Sequence, residues 1–346
     1  MAKYTAIGGQ ALIEGIMMKS PEKSAMAVRK QDGEIDISYL NGKNLRKKYK
    51  ILALPIIRGV VAFAESLIEG YSAMMKSADI SGFTDIEEET EAEKTQEQKE
   101  KDKKSNAVLM GVVMTIGTVL GVALAVLLFM AAPAYIRKGL EYLFNTQFSS
   151  IGISATEQVI KLAIFVGYIW LVSLEKDIKR VFMYHGAEHK TIFCYEKGLP
   201  LNVENVRKQQ RFHPICGTSF MILMILVSFL ISLLVLWAFP KIKTVTALWV
   251  AVKILLIPIT CGVGFEVLRA CGKHDNLFTK IVSAPGMWLQ RLTTKEPSDD
   301  MIEIAIAALR ACEPENPDVD RSIDKTEETA EETAEESAED NGENDI

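Results

Sequence analysis

Two stretches of this chain carry no charged residue and are each long enough to cross a bilayer, Ala107–Ala132 and Pro214–Phe239. A helix rises about 1.5 Å per residue and a hydrocarbon core is roughly 30 Å thick, so a crossing takes about 20 apolar residues. A soluble helix of that length would have to be buried on every side. The composition, 49% hydrophobic and 24% charged, hides how strongly the two kinds are segregated. Charge collects at 84–104 and 313–346, while apolar residues collect between 107 and 265.

Two weaker candidates complete a set of four spans. Ala155–Leu174 carries Glu157 and Lys161 in its first two turns, where a lysine stem can snorkel to the interface. Ser154 and Glu157 read as a capping box that starts it. Thr244–Gly264 carries Lys253 about 14 Å along a helix, followed by Pro258, Gly262 and Gly264, where a bend is expected. A charge that deep faces a bundle interior or a watery cavity unless the span begins later.

Lysine and arginine counts set the expected orientation. Loop 133–154 holds only Arg137 and Lys138, whereas loop 175–213 holds Lys176, Lys179, Arg180, Lys190, Lys197, Arg207, Lys208 and Arg211. The expectation is a cytoplasmic (inner) membrane protein with both termini and all four histidines on the cytoplasmic side. Residues 1–10 have one lysine and no apolar core, so no cleavable export signal is expected there. Five irregularly spaced cysteines fit a reducing compartment rather than a disulfide framework.

The fold class expected is mainly α: a four-span integral membrane bundle with a small cytoplasmic N-terminal α+β region. Residues 1–50 read as a few strands, with turns at Gly8-Gly9 and Asp32-Gly33, the second inside a hairpin of Met26–Arg29 and Ile35–Ser38. Residues 51–83 read as an amphipathic helix, interfacial or packed on the bundle, with Arg58, Glu65 and Glu69 on one narrow face. Residues 84–104 read as a disordered charged linker and 313–346 as a disordered acidic tail. In the cytoplasmic region 265–312, Ser298 is placed to cap a helix whose Ile302, Ala305, Ile306 and Leu309 share a face. The basic cluster Lys43 to Lys50 suits anionic lipid, and no nucleic-acid motif is present.

The chemistry-bearing residues gather at one membrane surface. Tyr184–Lys190 contains H-x-x-E-H, with His185 and His189 one helical turn apart and Glu188 beside them. That order suits two imidazoles on one Zn²⁺ or other divalent metal and a carboxylate acting as general base. His213-Pro214-Ile215-Cys216 adds a second His/Cys pair at the mouth of the third span. His213 and Cys216 are the first choices to complete the ligand set, and Glu188 is the catalytic choice. Glu266, at the cytoplasmic end of the fourth span, could complete a catalytic set, and Cys271 and His274 form another C-x-x-H pair close by it.

Four segments, Gly8–Met18, Tyr184–Lys190, His213–Phe220 and Pro285–Thr294, resemble the YqhQ family of bacterial multi-pass membrane proteins of unassigned function. The resemblance spans about residues 5–310. The family has been described as a predicted metal-dependent enzyme, which implies His185, Glu188, His189, His213 and Cys216 as its pattern and draws in Glu14. Glu14 would approach the histidines or pair with a base such as Arg58. Two readings follow. One is a metal-dependent hydrolase in the membrane. The other is a non-catalytic scaffold or accessory factor for membrane-protein insertion or transport, working with a membrane-protein partner or as a homo-oligomer, with the His and Cys residues as a clasp.

Overall fold

A computed structural model describes residues 5, 7–40, 49–83, 116–273 and 276–313. The expected charged linker, the acidic tail beyond Glu313 and His274 lie outside the described residues.

The N-terminal region is a four-stranded antiparallel meander, β1 (Gly8–Leu12), β2 (Gly15–Lys19), β3 (Ser24–Arg29) and β4 (Ile35–Leu40). The Asp32-Gly33 hairpin is present, and Gly33 sits at φ 90, a backbone conformation that favours glycine. Gly8-Gly9 is not a turn: both residues pair with Lys19 and Met18 inside β1. Alternation of side chains buries both faces of the central strands. Met17, Met26 and Val28 pack with Ala73 on one side, while Ile16, Met18, Ala25 and Ala27 pack with Tyr184 and Ile302 on the other.

Helix α1 (Ile57–Ile80) carries the first of these contacts and joins the sheet to the bundle. Its Gly59 lies against Gly262 and Phe265, and its Gly70 lies against Gln10 of β1. Of its charged stripe, Arg58 binds Glu266 with both nitrogens at 2.6 and 2.7 Å, and Glu69 pairs with Lys19. The charged stripe therefore serves packing on the bundle and sheet.

Three described helices are long and apolar enough to cross a membrane: α2 (Ile116–Leu143), α3 (Ser150–Val172), and a third, Gly217–Ala238. Two short helices, Thr246–Leu255 and Ile257–Lys273, meet at a 47° bend and make a fourth candidate when taken as one broken span. Between α3 and the third come α4 (Lys176–Glu196) and α5 (Val203–Arg207), so Gly217–Ala238 is α6 and the bent pair is α7 and α8. Then α9 (Leu277–Thr293) runs back along α6, and α10 (Asp299–Cys312) packs on α4 and the sheet. The face expected on α10 is buried, but Ser298, its N-cap, receives no backbone N–H on its side chain.

Three readings of the charges near the spans are corrected. Helix α2 does not end at 132 but continues through Arg137 and Glu141, with a π-helical segment at Leu127–Ala131. Helix α3 starts five residues earlier than 155, capped by Ser149, whose hydroxyl accepts from Gly152 N–H; Ser154 and Glu157 therefore form no capping box. Lys161 does not snorkel, since only 6% of it is exposed.

Glu157 and Lys253 explain why those charges lie inside. The Glu157 carboxylate accepts from Arg137 Nε at 3.1 Å, Lys253 Nζ at 3.0 Å and Trp249 Nε1 at 2.9 Å. Lys253 also donates to Met130 O at 3.1 Å, a carbonyl in the π-helical segment. A π-helical segment displaces the regular i to i+4 ladder. The network ties α2, α3 and α7 together through buried, hydrogen-bonded ions, the form in which buried charge is tolerated.

Candidate metal centre

Helix α4 begins at Glu175, whose carboxylate accepts from the N–H groups of Asp177 and Ile178. Midway along it, Gly186 lets another segment of chain press against the helix. A Cβ there would lie 2.0 Å from Lys295 O, and Lys295 N–H donates to Phe182 O at 2.8 Å. The chain leaving α9 therefore crosses α4 directly over the histidines.

This crossing delivers Thr293 O to His185 Nδ1 at 2.8 Å. On the other side, Arg211 O lies 2.6 Å from His189 Nδ1. A carbonyl only accepts, so both Nδ1 atoms carry hydrogen and both neutral rings present the Nε2 lone pair. His185 Nε2 lies 3.3 Å from Cys216 Sγ, and His189 also hydrogen-bonds to that thiol. One ligand atom each from His185, His189 and Cys216 lies within 4.8 Å of the others. Backbone carbonyls that fix the tautomer from behind are the usual outer shell of metal-binding histidines.

Cys216 is the N-cap residue of α6, so its sulfur sits at a helix N-terminus ahead of the apolar span. Burial alone would raise the thiol, but His185 and His189 outweigh it and hold it well below its ordinary range. Burial would likewise lower His185, yet the Cys216 thiolate raises that imidazole to about 9.

His213 is not in this three-residue group. Its ring is 5.8 Å from that of His189, its Nδ1 is held in a tight turn with Ile215, and its Nε2 lies 3.4 Å from Glu196. Glu188 is buried beneath β1: a Cβ on Gly9 would fall 2.9 Å from its Cγ and Cδ. Burial pushes its carboxyl up, and the neighbouring histidines pull it back in part. This is the close backbone approach that the glycine-rich start supplies.

Glu14 does not reach the histidines. It sits at φ 50 in the β1–β2 turn, pairs with Arg180 and accepts from Tyr184 Oη at 3.1 Å. Glu266 is taken by Arg58, and Cys271 hydrogen-bonds to Ser283.

A family model described as "Protein of unknown function (DUF1385)" matches residues 54–315, more than half of the chain. This chain belongs to the DUF1385 family. It is 36% identical over 304 residues to the "Uncharacterized protein YqhQ" of Bacillus subtilis (strain 168), covering 87% of this chain and 90% of that protein. No solved structure matches. The DUF1385 match contains every residue of the His/His/Cys group and both residues whose carbonyls accept from the histidines, Arg211 and Thr293.

Within this DUF1385 chain, Pro285–Thr294 supports the site through Gln290. The Gln290 side chain accepts from His213 N–H at 2.8 Å and donates to His213 O at 2.7 Å and Ser219 Oγ at 3.1 Å. Gln290 thereby fixes the turn that leads into Cys216. Gln290→Leu leaves a buried N–H and C=O unpaired and is expected to cost about 1–3 kcal/mol. Thermal unfolding of the purified variant measures this, and an unchanged midpoint would refute the role. Sequence reading missed Gln290, Thr293 and Arg211, since two of them act through main-chain oxygen, which no side-chain pattern reveals.

Proposed function

We propose that this chain is a multi-pass inner-membrane protein, termini cytoplasmic, with a divalent-metal hydrolase site facing the cytoplasm. Membrane insertion is supported by the surfaces of α2, α3 and α6, which expose Leu120, Val122, Val159, Leu171 and Leu234 in quantities a water-soluble surface does not sustain. The cytoplasmic orientation rests on the basic residues of 175–213.

The observation that carries the metal reading is the pair of Nδ1–carbonyl bonds. They leave two imidazole Nε2 atoms beside one thiolate, a donor set that suits Zn²⁺. His185, His189 and Cys216 would hold the ion, whose contribution when bound is Lewis acidity. Three protein ligands leave one position of a tetrahedral site open, as catalytic rather than structural sites do. Glu188 then acts as general base. Its burial under Gly9 raises its proton affinity, the direction a general base needs.

Purified protein is expected to carry zinc in stoichiometric amount, and His189→Ala to carry almost none. Zn²⁺ added at about 100 times Kd to the metal-stripped wild type should stabilise it by about 2.7 kcal/mol. Absence of both effects would overturn the proposal. The clasp reading keeps one observation in its favour, since the cluster joins α4 to the start of α6 and the end of α9. Under it, Glu188→Gln leaves function intact.

A further inference from the structure

A cavity of about 560 Å³ lies between α1, α3, α6 and the α7–α8 pair, apart from the His/Cys cluster. Its floor is one continuous face of α6: Gly217, Phe220, Met224, Ser228 and Ser232. Fifteen residues at helical rise make that face roughly 22 Å long. The roof is α1, where Phe63 meets Phe220 with ring centroids 5.6 Å apart. The walls are apolar apart from Ser66 and Thr260 and, at the deep end, Lys161, Lys253, Ser228 and Ser232.

The charges at that end do not balance. Among the described residues, Glu157 is shared by Arg137 and Lys253, and Glu141 pairs with Arg137. Lys161 has no carboxylate within ion-pair distance, and its Nζ has only Ser228 Oγ at 3.5 Å. Three cations thus face two carboxylates in a low-dielectric setting, where an uncompensated charge is costly. A monoanion entering the cavity would supply the missing charge.

We propose that this cavity binds a single-chain anionic amphiphile, a long-chain carboxylate, with its charged end at Lys161 and its chain along α6 toward Gly217. The volume falls in the range of small-molecule pockets, and the layout, apolar walls with a few convergent polar groups, is the usual one. The length of the α6 face favours an extended chain over a compact ring system. This site stands independently of the metal reading.

The test uses the full chain in phosphatidylcholine nanodiscs with radiolabelled palmitate. Palmitate binds saturably, and hexadecanol, which has the chain without the charge, competes at least about tenfold less well. Lys161→Met weakens palmitate binding by about tenfold or more, while Lys161→Arg stays within a few-fold. Ser232→Phe fills the deep end and abolishes binding. His189→Ala leaves palmitate binding unchanged, which separates this result from the fate of the metal proposal. Equal competition by hexadecanol, unaltered binding in Lys161→Met, or non-saturable partitioning alone would each overturn the proposal. Stronger competition by lysophosphatidate than by palmitate would overturn the carboxylate assignment. Should Lys161→Met fail to fold, the hexadecanol competition on wild type and the Ser232→Phe variant decide.

Discussion

Glu157→Ala is expected to be the most destabilising single substitution in the bundle, by about 3–5 kcal/mol. The carboxylate accepts from three donors on two other helices, Arg137, Lys253 and Trp249. Removing it leaves two cations buried, with 2% of Arg137 and 7% of Lys253 exposed. Arg137 keeps Glu141 at 2.5 Å, so Lys253 bears most of the loss, holding only Met130 O and the face of Trp249. The midpoint of thermal unfolding in detergent should fall by roughly 10 °C. Pairing the change with Lys253→Met should restore much of the loss, because the orphaned charge goes with its partner. A single variant as stable as wild type would show that the network does not hold α2, α3 and α7 together. Glu157→Gln should sit between the two, since the amide oxygen still accepts from Trp249 and Lys253 but brings no charge.

The same residue shows where reading the sequence stops. Hydropathy located the span-length helices because an apolar run is a one-dimensional property. It placed Glu157 and Lys161 at a membrane interface because a charge near the start of a run is cheapest there. Helix α3 in fact starts at Ser150, which carries both residues deeper. The signal for pairing was present: a carboxylate in one run and Lys253 in another call for each other in hydrocarbon. Nothing along the chain says that Arg137 lies on the continuation of α2 rather than in a loop.

At the His/Cys cluster the situation is reversed. The one-turn spacing of His185 and His189 was legible, and so was the placing of Cys216 near them, because two span-length helices bring the segments flanking them together. The parts that prepare those side chains were not legible. Thr293 and Arg211 contribute carbonyl oxygens, and any residue type supplies one. Gly9 reads along the chain as a turn residue, and Glu188, the side chain it makes room for, is more than 170 positions away.

That difference between ligands and their surroundings makes Co²⁺ substitution the sharpest probe of the cluster. A cobalt-loaded wild type should show a thiolate-to-metal charge-transfer band in the near ultraviolet, because His185 and His189 favour the thiolate form of Cys216 that would bind the ion. Cys216→Ser is expected to abolish the band and to weaken metal binding beyond the roughly 10–100-fold that losing an outer-shell partner costs. Glu188→Gln should keep both band and affinity, for Glu188 is no member of the converging group and the amide fills the same space beneath Gly9. His213→Gln should also keep the band, since its ring already serves Ile215 and Glu196. Loss of metal in Glu188→Gln to the extent seen in Cys216→Ser would make the carboxylate a ligand, and the general-base assignment would fall with it. Retention of metal in Cys216→Ser would remove the thiolate from the site, leaving two imidazoles, too few to hold a zinc ion of either the catalytic or the structural kind.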